Sequence, residues 1–148
     1  MTTYRQIFYH IVFGTKNREC SLAENHQEDL YRFIWGVINK RRCHLYRIGG
    51  TEDHLHIFSD LHPSITLSDF VKEIKVASGD WIKQNRIFPQ FTCWQEGYGA
   101  FTCSVKERDA VIAYIKNPKE HRKTESFRDE YKRLLTENEI PIEEKYML

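Results

Sequence analysis

Apolar residues along this 148-residue chain follow two alternating periods, and their order predicts a fold. Residues 4–14, Tyr-Arg-Gln-Ile-Phe-Tyr-His-Ile-Val-Phe-Gly, are rich in β-branched and aromatic types and predict a strand. Over residues 24–41 the period becomes helical, with Leu30, Phe33, Ile34, Val37 and Ile38 on one face. A second strand is predicted over 43–49. The turn signal Gly49-Gly50 then leads into a third at about 52–60, so the two make a hairpin. After Pro63-Ser64, Leu67, Phe70, Val71, Ile74 and Trp81 form the stripe of a helix at about 66–84. Residues 86–99, with Pro89, Trp94, Gly97 and Gly99, read as irregular, and 100–105 as a fourth strand. Helices follow at about 106–117 and 126–138, separated by a break at Pro118.

The order β-α-β-β-α-β predicts an α+β, ferredoxin-like sandwich. Its antiparallel sheet carries both helices on one face and leaves the other free for ligands or a partner subunit. The chain is expected to form a single domain over 1–148, with a ferredoxin-like core (1–105) and a C-terminal helical extension (106–148). Hydrophobic residues at 41% and charged residues at 29% are an ordinary globular balance, which excludes a disordered chain. A net charge of +1 gives no overall push toward nucleic acid, so any such contact must come from local clusters. No apolar run is long enough to cross a membrane. The N-terminus lacks an apolar signal segment, so a cytoplasmic location is expected. Cys20, Cys43, Cys93 and Cys103 form no Cys-x-x-Cys pair and read as reduced thiols.

The most informative stretch is Asp53-His54-Leu55-His56-Ile57. On a strand, side chains alternate between faces, so His54 and His56 point one way and Leu55 and Ile57 the other. Two neighbouring imidazoles can grip one metal ion, although a site needs further ligands. The third predicted helix contains Val111-Ile112-Ala113-Tyr114-Ile115-Lys116-Asn117. Val111, Ile112 and Ile115 form a buried stripe, with Tyr114 at its edge. Such a tyrosine packs with its hydroxyl wet, or serves as a nucleophile if the electrophile is already activated, since a phenol of pKa about 10 is weak alone.

Together these motifs resemble the single-tyrosine HUH transposases of the insertion-sequence 200/605 type. The resemblance is carried by His54-Leu55-His56 and by Tyr114-Ile115-Lys116-Asn117. It extends to the opening Ile7-Phe8-Tyr9-His10-Ile11-Val12-Phe13-Gly14, to Phe70-Val71-Lys72-Glu73-Ile74, to Trp94-Gln95-Glu96-Gly97-Tyr98-Gly99 and to Ser126-Phe127-Arg128-Asp129-Glu130-Tyr131, and so covers nearly the whole chain. It implies a DNA transposase in which His54 and His56 bind Mg²⁺ or Mn²⁺ and Tyr114 attacks a phosphate of single-stranded DNA, forming a 5′-phosphotyrosine. It also implies hairpin-ended DNA and a homodimer as partners, with the tyrosine acting in cis or in trans. The family's amide ligand, one turn beyond the tyrosine, falls here on Pro118. Asn117 and His121 are the nearest substitutes, and Glu52 shares the face of the histidines.

DNA contacts are expected from Lys40, Arg41, Arg42 and Arg47, from Lys72, Lys75 and Ser78 on the second helix, and from Lys116 after the tyrosine. Trp94 and Tyr98 could stack on unpaired bases. Rival readings are a non-enzymatic or cleavage-impaired nucleic-acid binder on the same sheet, a replication initiator or relaxase, and a relative that processes chromosomal repeats. The first leaves the two histidines and Tyr114 without a purpose.

Overall fold

Ile11 and Phe13 on one strand and Leu55 and Ile57 on its neighbour occupy alternate positions, so all four face the same layer and are buried there. Opposite them lie Leu30, Ile34 and Ile38 of one helix and Phe70, Val71, Ile74 and Ile82 of another. Burying each such side chain contributes roughly 1.5–3 kcal/mol, and this layer holds the fold. The computed structural model describes residues 2–117, 125–143 and 145. Its elements are β1 (Tyr9–Gly14), α1 (Gln27–Lys40), β2 (Leu45–Gly50), β3 (His54–Ser59), α2 (Leu67–Asn85), β4 (Gly99–Phe101), α3 (Arg108–Lys116) and α4 (Phe127–Glu137). The four strands form one antiparallel sheet in the order β2-β3-β1-β4. This is the predicted ferredoxin-like arrangement, with α1 and α2 on one face and joined through stacked Phe33 and Trp81 rings.

The ends of the predicted elements shift for local reasons. The first strand begins at Tyr9 rather than residue 4, because its partner β3 ends at Ser59, opposite Tyr9. The fourth strand stops at Phe101 instead of 105. Ser104 is taken up in a capping box, its N–H donating to Glu107 Oε1 at 3.1 Å, and so starts the turn that leads into α3. α2 is capped by Thr66, which accepts from the Asp69 N–H, and α4 by Ser126, which accepts from the Asp129 N–H. The cysteines are free thiols.

The second face of the sheet, expected to be open, is covered by the chain's own C-terminal helices. Phe8 and Phe58 pack with Ile115 of α3, while Val12 and Phe101 pack with Phe127 and Leu134 of α4. The apolar stripe of α4 (Phe127, Tyr131, Leu134) would otherwise be exposed, and Val12 of β1 and Phe101 of β4 supply its complement. Two glycines permit this approach. A Cβ on Gly14 would lie 2.5 Å from Phe127 Cε2, and one on Gly49 would lie 2.6 Å from the Ile115 carbonyl oxygen. Since Gly14 lies opposite His54, the space it leaves admits the Phe127 ring onto that histidine. Gly14→Ala is therefore expected to destabilise the protein by about 1–3 kcal/mol, read as a lower midpoint in urea denaturation.

Candidate active site

β3 presents His54 and His56 to the α3/α4 side, each of them almost wholly buried. On α4, Glu130 lies one turn from Phe127 and so joins the stripe that faces the sheet. Its carboxylate meets both rings, with His54 Nε2 2.9 Å from Oε1 and His56 Nε2 3.4 Å from Oε2. One nitrogen from each histidine and one carboxylate oxygen lie within 4.8 Å of one another. This donor set, two imidazoles and a carboxylate, fits a divalent cation.

The outer nitrogens are also held. His54 Nδ1 lies 2.7 Å from Asp53 Oδ1, and Thr51 Oγ1 donates to the same carboxylate oxygen at 2.9 Å. His56 Nδ1 lies 2.8 Å from His10 Nε2, with the two rings stacked. Burial and the neighbouring His56 pull the pKa of His10 down to about 3, so this ring is neutral and can accept from His56 Nδ1–H. With Nε2 protonated as well, the same ring donates to Glu130 Oε2 at 3.4 Å. Carboxylate and imidazole partners of this kind fix the orientation of metal-binding histidines. Phe127 stacks on His54 with ring centroids 4.2 Å apart and planes 6° apart, so the ring cannot turn freely.

Charge is concentrated here. Burial disfavours the charged form of His54, but hydrogen bonds to Asp53 and Glu130 outweigh it and raise its pKa. Burial likewise opposes the Glu130 carboxylate, yet bonds from His54 and His56 hold its carboxyl well below the usual range.

Tyr114, on α3, brings its hydroxyl to this carboxylate and donates to Glu130 Oε2. Arg133, one turn beyond Glu130 on α4, donates from Nη2 to the same phenolic oxygen at 2.6 Å and is anchored by Glu125 at 2.7 Å. Burial and the Glu130 carboxylate push the phenol's pKa up, while Arg133 opposes them. Tyr114 thus reaches the histidines of its own chain, and its ring lies edge-on to His56.

Other sequence-predicted residues lie elsewhere. The exposed Asn117 amide at the end of α3 donates to the Ala113 carbonyl, away from the histidines. Glu52 precedes β3 and is exposed, and its backbone carbonyl accepts from Leu22. His121 lies outside the described residues, as does Pro118. Ser78, expected to touch DNA, is fully buried: its hydroxyl donates to the Ile74 carbonyl and accepts from Trp94 Nε1. Trp94 is accordingly a core residue rather than an exposed stacking platform. Lys75 is partly buried over the rings of Phe13 and Tyr98, and its ammonium donates to the Gln95 and Gly97 carbonyls, so it clamps the irregular segment. Lys40, Arg41, Arg42, Arg47, Lys72 and Lys116 are exposed, with Arg41 paired to Glu73. Glu130, Arg133, His10 and the orienting role of Asp53 were not foreseen. A glutamate on the apolar stripe of a helix was the available signal for Glu130.

The model of the "Transposase IS200 like" family matches residues 3–118, more than half of the chain. The chain belongs to the IS200-like transposase family. The matched stretch contains His54, His56 and Tyr114 and stops short of Glu130. No curated protein matches the chain. Among solved structures, a candidate transposase from Deinococcus radiodurans R1 is similar with a TM-score of 0.62 and 23% identity, covering 79% of this chain and 95% of that one. A REP-associated tyrosine transposase bound to a REP hairpin is similar with a TM-score of 0.59 and 19% identity, covering 82% of this chain and 74% of that one. At these identities the likeness is one of fold. Among the described residues, no helix of this IS200-like transposase is long and apolar enough to cross a membrane.

If the trio holds a cation, the ion must displace the proton on His54. Because the pKa of His54 is raised, Mn²⁺ affinity is expected to fall as pH is lowered, by about tenfold per unit once this proton competes. Asp53→Asn is expected to weaken Mn²⁺ binding about 10–100-fold without unfolding the protein. Titration calorimetry across pH checks both.

Proposed function

We propose that this transposase cleaves and rejoins single-stranded DNA through a covalent bond between phosphorus and the Tyr114 oxygen, at a centre where His54, His56 and Glu130 hold Mg²⁺ or Mn²⁺. The observation that carries this reading is the position of the Tyr114 hydroxyl, bonded to the same carboxylate that closes the histidine pair. A tyrosine serving only as packing has no need of a buried carboxylate and an arginine on its oxygen.

The chain's residues divide the work. Arg133 donates to the phenolic oxygen and favours its anionic form, while Glu130 Oε2 accepts the phenol's hydrogen bond and orients it, and the phenolic proton passes to solvent as the bond to phosphorus forms. Tyr114 Oη then bonds to phosphorus as the bond from phosphorus to the 3′-oxygen breaks, and the departing oxygen takes a proton from solvent. In rejoining, a 3′-hydroxyl attacks the phosphotyrosine and restores Tyr114, so the covalent bond carries the phosphodiester's energy between steps. Asp53 and His10 keep the histidine Nε2 atoms aimed inward. The cation, when bound, supplies Lewis-acid polarisation of the scissile phosphate. Two imidazoles with one carboxylate are a softer set than Mg²⁺ prefers, which favours Mn²⁺.

Exposed Lys40, Arg41, Arg42, Arg47, Lys72 and Lys116 would neutralise DNA phosphates, and hairpin ends are the substrate suggested by the family. Because the trio is buried, a phosphate reaches it only if α4 moves from the sheet. With Tyr114 on its own chain's centre, each copy can cleave alone. A homodimer would serve to bring two DNA ends together, within the cytoplasm.

Incubation with labelled single-stranded DNA from the element's flanks and Mn²⁺ is expected to give a protein–DNA adduct on a denaturing gel. Tyr114→Phe should bind the same DNA and form no adduct, and His54→Ala should remain folded but not cleave. An adduct persisting in Tyr114→Phe would refute the nucleophile, and cleavage surviving EDTA would refute the metal.

A further inference from the structure

His54, His56 and Glu130 are 3%, 2% and 4% exposed, so solvent has almost no access to their donor atoms. Mg²⁺ and Mn²⁺ favour six ligands, and Mg²⁺ normally keeps several waters among them. The closed arrangement gives such waters no entry. A four-coordinate ion needs none. Zn²⁺ takes four ligands at the corners of a tetrahedron, and its bonds to nitrogen and oxygen set neighbouring donors roughly 3.3–3.5 Å apart. His56 Nε2 already lies 3.4 Å from Glu130 Oε2, and His54 Nε2 lies 2.9 Å from Oε1. Three corners are therefore close to their places before any ion arrives.

A fourth oxygen reaches the same group. Tyr114 donates to Glu130 Oε2, and its ring lies edge-on to His56 with centroids 5.8 Å apart. We propose that Zn²⁺ binds the closed protein through His54, His56, Glu130 and the Tyr114 oxygen, and that it inhibits strand cleavage by doing so. The inhibition rests on the reading of Tyr114 as the nucleophile given above. The ligand set itself does not.

On binding, the Tyr114 O–H bond breaks, a bond from Oη to zinc forms, and the proton leaves to solvent. The hydrogens that join the histidine Nε2 atoms to Glu130 leave in the same way, and no electron moves. Arg133 Nη2 stays on the phenolate oxygen at 2.6 Å, held there by Glu125. A catalytic zinc centre keeps one position for water, whereas four protein ligands make the closed, structural kind. Here the three elements β3, α3 and α4 would be pinned by one ion, and the oxygen needed for attack would be spent on the metal. For the same donors Zn²⁺ binds more tightly than Mn²⁺, so it displaces the ion that the reaction uses.

Co²⁺ serves as the spectroscopic probe, because four-coordinate Co²⁺ absorbs visible light far more strongly than six-coordinate Co²⁺. Titrating it into the full chain is expected to give those strong bands together with the ultraviolet absorption of a tyrosinate. Zn²⁺ should abolish the visible bands and keep the tyrosinate. Tyr114→Phe should lose the tyrosinate, and Zn²⁺ should raise its melting temperature less than that of the parent. Tyr131→Phe, which changes the neighbouring phenol on α4, should keep the signal. With Mn²⁺ and labelled single-stranded DNA, added Zn²⁺ should suppress the adduct, and EDTA followed by excess Mn²⁺ should restore it. Weak six-coordinate bands, or a tyrosinate that persists in Tyr114→Phe, overturn the four-ligand site. An adduct yield unchanged by Zn²⁺ overturns the inhibition. If Mn²⁺ yields an adduct while Zn²⁺ and Co²⁺ leave Tyr114 untouched, this inference alone falls. If no ion binds and no adduct forms, the reading of the Tyr114 centre falls with it.

Discussion

A single carboxylate joins the two halves of this molecule. Glu130 on α4 reaches across to His54 and His56 on β3 and accepts from Tyr114 on α3. The sheet, the tyrosine helix and the last helix therefore meet at two oxygen atoms. Stranding a buried carboxylate without its cations costs several kcal/mol, so once formed the arrangement excludes most others. The apolar contacts around it are few, chiefly Phe127 and Leu134 against Val12 and Phe101, and they set how close the helix comes. The ionic contacts set its rotation and register.

This network also keeps the Tyr114 hydroxyl protonated. Burial and an adjacent carboxylate both raise the phenol's pKa, so the hydroxyl holds its proton while Glu130 is fully negative. Arg133, locked by Glu125 and Glu137, opposes that effect from the other side of the oxygen. A cation shared among the histidines and Glu130 would withdraw charge from the carboxylate and tip this balance toward the anion. On the proposed function, nucleophile strength and metal binding would be coupled through one side chain.

Much of this was legible in the residues because it rests on short-range periodicity. Period two on β3 put His54 and His56 on one face, and the helical stripes of α1 and α2 identified the main core. The order of elements gave the sheet topology. What was not legible depended on contacts distant in sequence. Glu130 lies 76 and 74 positions from the two histidines by their numbering (130 − 54 and 130 − 56), and although its place on an apolar stripe sets it apart, nothing local names its partners. The covering of the second sheet face was missed for the same reason, since an amphipathic helix does not state which surface it will meet. Ser78 and Lys75 were misplaced because a hydroxyl and an ammonium on a helix suggest an outward face. Here both instead satisfy carbonyls around the irregular segment before β4. Asn117 fell at a helix end, where its amide turns back to its own backbone.

The parallel stacking of Phe127 on His54, made room for by Gly14, has a further consequence. The aromatic plate that steadies one imidazole belongs to the same helix that, on the proposed function, would have to yield before a nucleic acid could enter. Grip on an ion and admission of a strand would then draw on one set of contacts. On the proposed function, strengthening that plate would sharpen the geometry of the centre and slow its opening together, and turnover would be set by a compromise between holding and letting go.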